Sequence, residues 1–119
     1  MEIQNIASEI EARIKMLATA RKMLREAAEN KANAIANYER ELSKVIIGLK
    51  NGKSFEVDGE QITNPPATIL ERIARGVVYN EKLASELADN LYKNTIVGTQ
   101  AIQAELNGYQ SIFRYLDEK

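Results

Sequence analysis

Apolar positions repeat every seven residues along the first part of the chain and predict one long helix. One set recurs at Ile3, Ile10, Leu17, Leu24, Lys31, Tyr38 and Val45, and a companion set lies four places on at Ala7, Ile14, Arg21, Ala28, Ile35, Leu42 and Leu49. All but Lys31 and Arg21 are apolar, a heptad pattern typical of helices that pack together with a slight left-handed supercoil. We therefore predict a helix from about residue 3 to residue 49, with Ala20, Ala27 and Ala34 beside the seam.

A short interruption follows the first helix and predicts a β-hairpin within residues 51–64. The Asn51-Gly52 dipeptide favours a helix end, and the Asp58-Gly59 dipeptide is a turn signal between two short runs of strand-forming residues. Two isolated strands are only marginally stable in water. The apolar side chains of the hairpin must therefore pack on a helix or on the hairpin of another subunit: Phe55, Val57 and Ile62.

A second long helix is predicted from about residue 66 to residue 116. Asn64 is a capping residue, and Pro65-Pro66 suits the first turn. The predicted apolar stripe consists of Leu70, Ile73, Val77, Ala84, Leu87, Leu91, Gly98, Ile102, Leu106, Tyr109, Phe113 and Leu116. Two successive four-residue steps around Ile102 indicate a stutter in this stripe. Gly76, Gly98 and Gly108 weaken a helix and indicate close packing or a bend.

These elements define the predicted fold class: mainly α, with two long antiparallel helices joined by a short β-hairpin. Residues 1–119 form a single domain in this interpretation, and Leu49 faces Leu70 while Ile10 faces Tyr109. Because a two-helix hairpin leaves most of its surface exposed, we expect a homo-oligomer, a dimer or higher, formed by coiled-coil-like packing.

Composition argues against several classes of function. Lys and Arg total 16 and Asp and Glu total 17, so we expect neither extended nucleic acid nor a membrane as partner. The chain has no His and no Cys, the residues that most often act as general bases, thiolate nucleophiles or metal ligands. We therefore predict no enzyme, no catalytic residues, no metal and no cofactor. The absence of cysteine and of a leader-like start predicts a cytoplasmic protein.

Two regions are candidates for binding an anionic ligand. The first is the start of the second helix, where free N–H groups of Ala67 and Thr68 are followed by Arg72, with Asn64 beside them. Phe55 and Tyr79 lie near this end and can stack on a base, although ordinary capping and core packing explain the same residues. The second, weaker group consists of Arg21, Arg25, Asn90 and Arg114. The alternative there is that polar seam residues such as Arg21 and Lys31 only fix helix register.

Four segments in the second half of the chain resemble small phage and prophage proteins of helix–hairpin–helix type, and the likeness as a whole extends over nearly the whole chain. They are NPPATILERIARG at 64–76, YNEKL at 79–83, AELNGYQSI at 104–112 and RYLDEK at 114–119. Within that group the chain is most similar to the anti-Thoeris sponge family, phage proteins that sequester cyclic ADP-ribose-type signals and silence a bacterial defence system. The resemblance implies a non-enzymatic oligomer in the bacterial cytoplasm with nucleotide pockets at subunit interfaces. It assigns no binding residue.

The resemblance and the candidate residues together predict a function. A cyclic ADP-ribose-like or cyclic oligonucleotide signal needs cations or amides for its phosphates and an aromatic plate for its base. Stoichiometric binding would lower the free signal without altering it. The alternative is a coiled-coil adaptor or holdase that resembles a prefoldin subunit. Uncovered apolar residues near the termini, such as Ile3, Ile6, Phe113 and Leu116, would favour that alternative.

Overall fold

The structure is a computed structural model that describes residues 2–118 of the chain. Its elements are α1 (Ile3–Lys50), β1 (Phe55–Val57), β2 (Glu60–Ile62), α2 (Ala67–Val77) and α3 (Tyr79–Asp117). The mainly helical class, the extent of the first helix and the hairpin are confirmed. The prediction of one unbroken second helix is wrong, because Val78 separates two helices.

Helix α1 ends in a Schellman motif, as the Asn51-Gly52 dipeptide indicated. Gly52 has a φ of +82°, which is readily available only to glycine. The Lys53 N–H donates to the Gly48 carbonyl at 2.9 Å, and the Gly52 N–H donates to the Leu49 carbonyl at 3.2 Å. These bonds satisfy two carbonyls at the helix end and turn the chain toward β1.

The two strands form the predicted antiparallel hairpin, with Phe55 opposite Ile62 and Val57 opposite Glu60. Asp58 and Gly59 connect them with φ values of +50° and +84°. Two positive φ values in a two-residue loop are typical of a type I′ turn, whose twist matches that of the strands. The apolar side chains of the hairpin are half-buried against helices of the same chain.

The start of α2 differs from the prediction. Asn64 does not cap the helix but adopts a left-handed conformation with a φ of +49°. The N-cap is Pro66, which is extended at φ −56° and ψ 143° and makes no side-chain capping bond. Its carbonyl accepts a hydrogen bond from the Ile69 N–H at 3.0 Å. The helix therefore begins at Ala67, one residue later than predicted, because a proline with ψ near 143° is not yet helical.

Val78 interrupts the helical segment that follows the hairpin and separates α2 from α3. Its φ of −98° and ψ of 30° depart from helical values, although its N–H still donates to the Ala74 carbonyl at 3.2 Å. Gly76 and two successive β-branched residues, Val77 and Val78, give this point low helix propensity. The Val78 side chain is buried, so packing holds the break in place.

The chain forms two compact units, which share the long helices. The hairpin unit comprises residues 30–89, and the terminal unit comprises residues 2–29 together with 90–118. In the hairpin unit, Lys31 pairs with Asp89, while Leu49 packs with Ala74. In the terminal unit, Arg13 bonds to Glu105. Within each unit, α1 and the returning helix are therefore antiparallel, as predicted.

The core of the hairpin unit lies where α1, the hairpin and α2 meet. Its buried residues are Val45, Leu49, Ala74 and Val78. Half-buried apolar side chains surround them: Tyr38, Leu42, Ile46, Phe55, Leu70, Ile73 and Val77. Full burial of one such leucine or valine contributes about 1.5–3 kcal/mol, so this cluster is the main source of stability in the unit.

In the first part of α1, the second row of inward-facing residues lies one position before the companion set that the heptad pattern predicted. The set beginning at Ile10 does face the return helix, but Ile14 is 51% exposed and Arg21 is also exposed. Their places in the seam are taken by residues three positions after each member of the first set: Arg13, Ala20 and Ala27. The alanines expected beside the seam are thus inside it, because small side chains allow the helices to approach.

The predicted stripe in the middle of the second helical segment is also wrong. Leu87 and Leu91 are 60% and 55% exposed, and Ala84 and Gly98 are exposed as well. The return helix instead turns inward a stripe with hydroxyl groups: Ser85, Tyr92, Thr95, Thr99, Ile102 and Leu106. This stripe keeps a seven-residue spacing, so the stutter predicted around Ile102 is not needed.

Intrahelical hydrogen bonds explain how hydroxyl groups can face an apolar seam. The Ser85 hydroxyl donates to the Lys82 carbonyl at 2.8 Å, and the Thr99 hydroxyl donates to the Thr95 carbonyl at 2.8 Å. The Thr95 hydroxyl bonds in the same way to the Leu91 carbonyl at 2.7 Å. Because a Ser or Thr can satisfy itself on its own helix, its polarity does not oblige it to face water.

The glycines predicted to be closely packed are mostly not. A Cβ atom added at Gly98 or Gly108 would meet nothing within 4 Å, and one at Gly76 would only touch Val57 at 4.0 Å. The close approach is instead at Gly48, where an added Cβ would lie 2.8 Å from the Phe55 ring. Gly48 thus makes room for the hairpin on α1.

Arg13 is the charged residue of the terminal seam. Its Nε donates to Glu105 at 3.0 Å, its Nη1 bonds to Glu9, and its guanidinium lies 5.1 Å from the centroid of the Tyr109 ring. The hydrogen bond to Glu105 raises the pKa of Arg13. It connects α1 to α3 and fixes their register.

We expect Gly48→Ala to destabilise the protein and Gly108→Ala to stabilise it. Both replacements gain about 1 kcal/mol of helix propensity. At Gly48 the new methyl group overlaps the packed Phe55 ring, and overpacking of this kind costs about 1–3 kcal/mol. Thermal or urea unfolding measures both changes. Equal stabilisation by the two variants would show that the hairpin does not pack on α1 at this point.

We expect Arg13→Lys to lower the melting temperature, because a lysine cannot bond to Glu9 and Glu105 with the geometry of a guanidinium. The loss should shrink in about 1 M salt, which screens ion pairs. Arg21→Lys is the matched control, since Arg21 is exposed on the same helix. A similar fall for both variants, or none for either, would contradict the assigned role of Arg13.

Candidate functional site

A hollow in the hairpin unit has an exposed aromatic ring at its edge. It measures about 530 Å³ and is lined by Glu56, Val57, Asp58, Gly76, Val77, Tyr79 and Asn80. We call it the Tyr79 hollow. Tyr79 is 62% exposed, although tyrosine usually covers much of its ring. The volume lies within the range of small-molecule sites, about 300–1,000 Å³.

Three local features of the sequence build the Tyr79 hollow. Strand β1 and the type I′ turn that follows it supply two acidic lining residues, Glu56 and Asp58. Gly76 has no side chain to fill the floor, and the nearest atom to its missing Cβ lies 4.0 Å away. The break at Val78 then starts α3 with Tyr79, whose ring remains outside the core.

The groups around the Tyr79 hollow suit the nucleoside part of a ligand. An exposed ring can stack on a base, and such stacking contributes about 1–3 kcal/mol per base. The side chains of Asp58, Glu56 and Asn80 offer acceptors for ribose hydroxyls, and Asn80 also offers donors. The two carboxylates repel a pyrophosphate, so phosphate groups would have to point out of the hollow.

The predicted anion site at the start of α2 is not part of the Tyr79 hollow. Ala67 lines a different hollow of about 450 Å³, together with Ile46, Lys50, Leu70 and Glu71. Thr68 and Asn64 are exposed, and neither lines the Tyr79 hollow. The residues predicted for this first site therefore lie in two different places in the hairpin unit.

Phe55 is a core residue and does not line the Tyr79 hollow. Its ring packs against the buried cluster of the hairpin unit and against Gly48. The Lys53 ammonium lies 5.3 Å from the ring centroid. The proposed stacking role of Phe55 is therefore not supported, because the hairpin needs this ring to attach to α1.

Arg72 is the cation of α2 available for a ligand. It is exposed and forms no ion pair within the described residues. Arg75 on the same helix is engaged with Glu71 at 2.7 Å. Arg72 does not line the Tyr79 hollow but precedes Tyr79 by seven residues, so it can meet only a phosphate that extends from the hollow.

The second predicted group does not form a cluster. Arg21, Arg25 and Asn90 are exposed. Arg114 lines a hollow of about 390 Å³ with Ile10, Gln110 and Phe113. The hollow beside Gly98 is lined by Asn94, with Ala20 and Met23 on its α1 side, and by none of the four residues of the second group.

Lys31 does occupy its predicted seam position, where it is paired. Its Nζ lies 3.0 Å from Asp89 Oδ1, and each side chain is about one-third exposed. This pairing favours the register interpretation of Lys31 over the anion-binding one. Partly exposed pairs of this kind contribute about 0–1 kcal/mol, so the main effect is alignment.

The sequence reasoning missed Asn80, Glu56 and Asp58 as lining residues. Acidic residues in and beside a turn are typical solvent-exposed charges, so their type alone does not indicate a site. The available signal was the sequence Gly76-Val77-Val78, where weak helix propensity allows a break directly before an aromatic residue. That break places Tyr79 and Asn80 beside the turn.

Among the described residues, no cluster of three or more acidic side chains is arranged to hold a metal ion. Within the same part of the chain, no helix combines the length and apolarity needed to cross a membrane. Comparison of the sequence and structure with protein-family models, curated proteins and solved structures finds no match.

Proposed function

We propose that this protein is a phage-type anti-defence protein that binds a cyclic ADP-ribose-like or cyclic oligonucleotide signal in the bacterial cytoplasm and sequesters it unaltered. The observation that carries the proposal is the exposed Tyr79 ring beside a polar hollow of nucleotide-binding size. The resemblance to the anti-Thoeris sponge family supports the class of ligand.

In the proposed complex, the base stacks on Tyr79 and the ribose hydroxyls donate to Asp58 and Glu56. Asn80 bonds to the edge of the base or to the second ribose. The phosphates leave the hollow on its outer side, where Arg72 offers a charge-assisted contact. A cyclic ligand suits this arrangement because its preformed ring loses little conformational freedom on binding.

The proposed mechanism is titration and not catalysis. The lining of the Tyr79 hollow contains two carboxylates, Glu56 and Asp58, and the proposal assigns both to hydrogen bonds with ribose hydroxyls and not to attack on the ligand. Each site therefore removes one signal molecule for as long as the complex lasts. Suppression of a defence response then requires a protein concentration that exceeds both the signal concentration and the dissociation constant.

The prefoldin-like alternative receives less support. Its expected feature was uncovered apolar side chains near the termini. Ile6 is fully buried, Phe113 and Leu116 are half-buried, and Ile3 is 38% exposed. Three of the four side chains named for that alternative are therefore buried or half-buried, whereas Ile112 and Tyr115 near the same terminus are 46% and 57% exposed.

We expect cyclic ADP-ribose isomers or cyclic dinucleotides to raise the melting temperature. At 100 times the dissociation constant, a ligand stabilises the folded state by about 2.7 kcal/mol, a shift on the order of 10 °C for a domain of this size. Denaturation of the complex should release the ligand with its mass unchanged. A converted ligand would indicate an enzyme, and no shift with any of them, together with suppressed client aggregation, would favour the holdase.

We expect Tyr79→Ala to weaken binding of that ligand by about tenfold to a hundredfold, because loss of base stacking costs about 1–3 kcal/mol. Tyr79→Phe should retain most of the affinity, since it keeps the ring. Tyr115→Ala is the matched control, as Tyr115 is 57% exposed but lies in the terminal unit. Isothermal titration measures all three. Unchanged affinity in Tyr79→Ala would remove the Tyr79 hollow as the site.

A further inference from the structure

A nearly uncharged groove runs between α1 and α3 in the terminal unit. Two adjoining hollows form it, of about 280 Å³ and about 370 Å³, and they share Ala20, Met23 and Ile102. Gly98 lies in the first hollow and Met16 in the second, where Lys15 is the one charged lining residue. We call this surface the methionine groove. It is separate from the residues that line the Tyr79 hollow.

Large apolar side chains remain uncovered at the methionine groove. Met16 is 45% exposed and Met23 is 55% exposed, and both project from α1. Leu91, which is 55% exposed, lies two helical turns before Gly98 on the same face of α3. Soluble monomers rarely leave contiguous apolar surface of this kind uncovered, and such patches mark interaction sites.

The presence of Gly98 lowers the stability of α3, and no contact within the single chain explains why a glycine lies there. Gly98 lies inside α3, where glycine is an unfavourable residue, and a Cβ atom added there would meet no side chain and no other element of the chain within 4 Å. Gly108 is equally open on the same helix but lies outside the two hollows. The gap at Gly98 is useful if something outside the chain enters it.

The exposed area indicates how much surface a partner would cover. The chain exposes 8529 Å², whereas a compact monomer of its mass, 13.3 kDa, exposes about 6,500 Å². The surplus of about 2,000 Å² is comparable to what each subunit buries in a stable, obligate homodimer. The area that a second copy would bury in a stable dimer is therefore within what the chain exposes.

The methionine groove is also self-complementary, which an interface between identical copies requires. In a two-fold dimer, both subunits use the same surface patch. Each projecting side chain of one subunit must therefore fit a recess in the identical patch of the other. The patch contains both parts, because Met16 and Met23 project while Gly98 leaves a recess. Methionine is flexible enough to fill such a recess.

We propose that a second copy of this chain covers the methionine groove, with Met23 of each subunit entering the recess at Gly98 of the other. The proposal needs no nucleotide and does not depend on the proposed function. The proposed contact involves no residue that lines the Tyr79 hollow. It also gives the uncharged surface a specific occupant.

Replacement of one glycine tests the proposal. Gly98→Leu fills the recess, whereas Gly108→Leu adds the same side chain at an equally open position outside the groove. Sedimentation velocity should find the wild-type protein as a dimer of the 13.3 kDa chain. We expect Gly98→Leu to raise the dimer dissociation constant at least about tenfold, or about 1.4 kcal/mol, and Gly108→Leu to leave it unchanged. Circular dichroism checks that both variants remain helical.

Disulfide trapping provides a second readout. The chain has no cysteine, so introduced thiols are the only ones present. Because Met23 and Gly98 line the same hollow of one chain, the two thiols are placed on different copies: an equimolar mixture of the Met23→Cys and Gly98→Cys single variants should form covalent heterodimers under mild oxidation, whereas a mixture of Met23→Cys and Gly108→Cys should form far fewer. A wild-type monomer at all concentrations would overturn the proposal. So would a dimer that Gly98→Leu does not weaken and that the first cysteine pair does not trap.

Discussion

In each unit, α1 is held to the returning helix by a seam in which small side chains alternate with larger buried ones, such as Leu17 and Leu106 in the terminal unit and Leu49 in the hairpin unit. Ala20 and Ala27 occupy the seam in the terminal unit, and Ala74 occupies it in the hairpin unit. Small side chains let the backbones approach and improve dispersion contact, but each buries little apolar area. The seam therefore stabilises the chain only modestly, and larger side chains such as Met23 and Leu91 remain outside it. The exposed apolar surface of this protein is a direct consequence of this arrangement.

Polar groups within the seam are tolerated because each has a partner nearby. The hydroxyl groups of Ser85 and Thr99 bond to carbonyls of their own helix, while Lys31 meets Asp89 across the seam. A fully satisfied polar group costs little, and a pair that works in only one alignment penalises every other register. Polar groups in the seam thus reduce its hydrophobic stabilisation, but they define the alignment of α1 and the returning helix.

The two candidate binding surfaces follow from the same constraint but differ in chemistry. The hairpin packs on Gly48, and the helix break at Val78 leaves Tyr79 beside a hairpin that supplies two acidic lining residues, Glu56 and Asp58. That site is polar with one aromatic plate, which suits a nucleoside. The methionine groove is apolar and nearly uncharged, which suits another protein surface. A chain with both can assemble with its own copies through one surface and bind a signal through the other.

Local signals in the sequence were sufficient for the helical class, the hairpin at 55–62 and the end of α1, because turn and capping chemistry depends on neighbouring residues alone. Heptad counting also found the correct first set in α1. It could not decide which second stripe would be buried, since Ile14 is a larger apolar residue than Ala20 and counting favours size. Only the packed helices select the smaller one, because the free energy depends on how closely the two backbones approach. The same tertiary packing decided that Phe55 became core, that Val78 broke the return helix, and that Tyr79 was left exposed beside the hairpin.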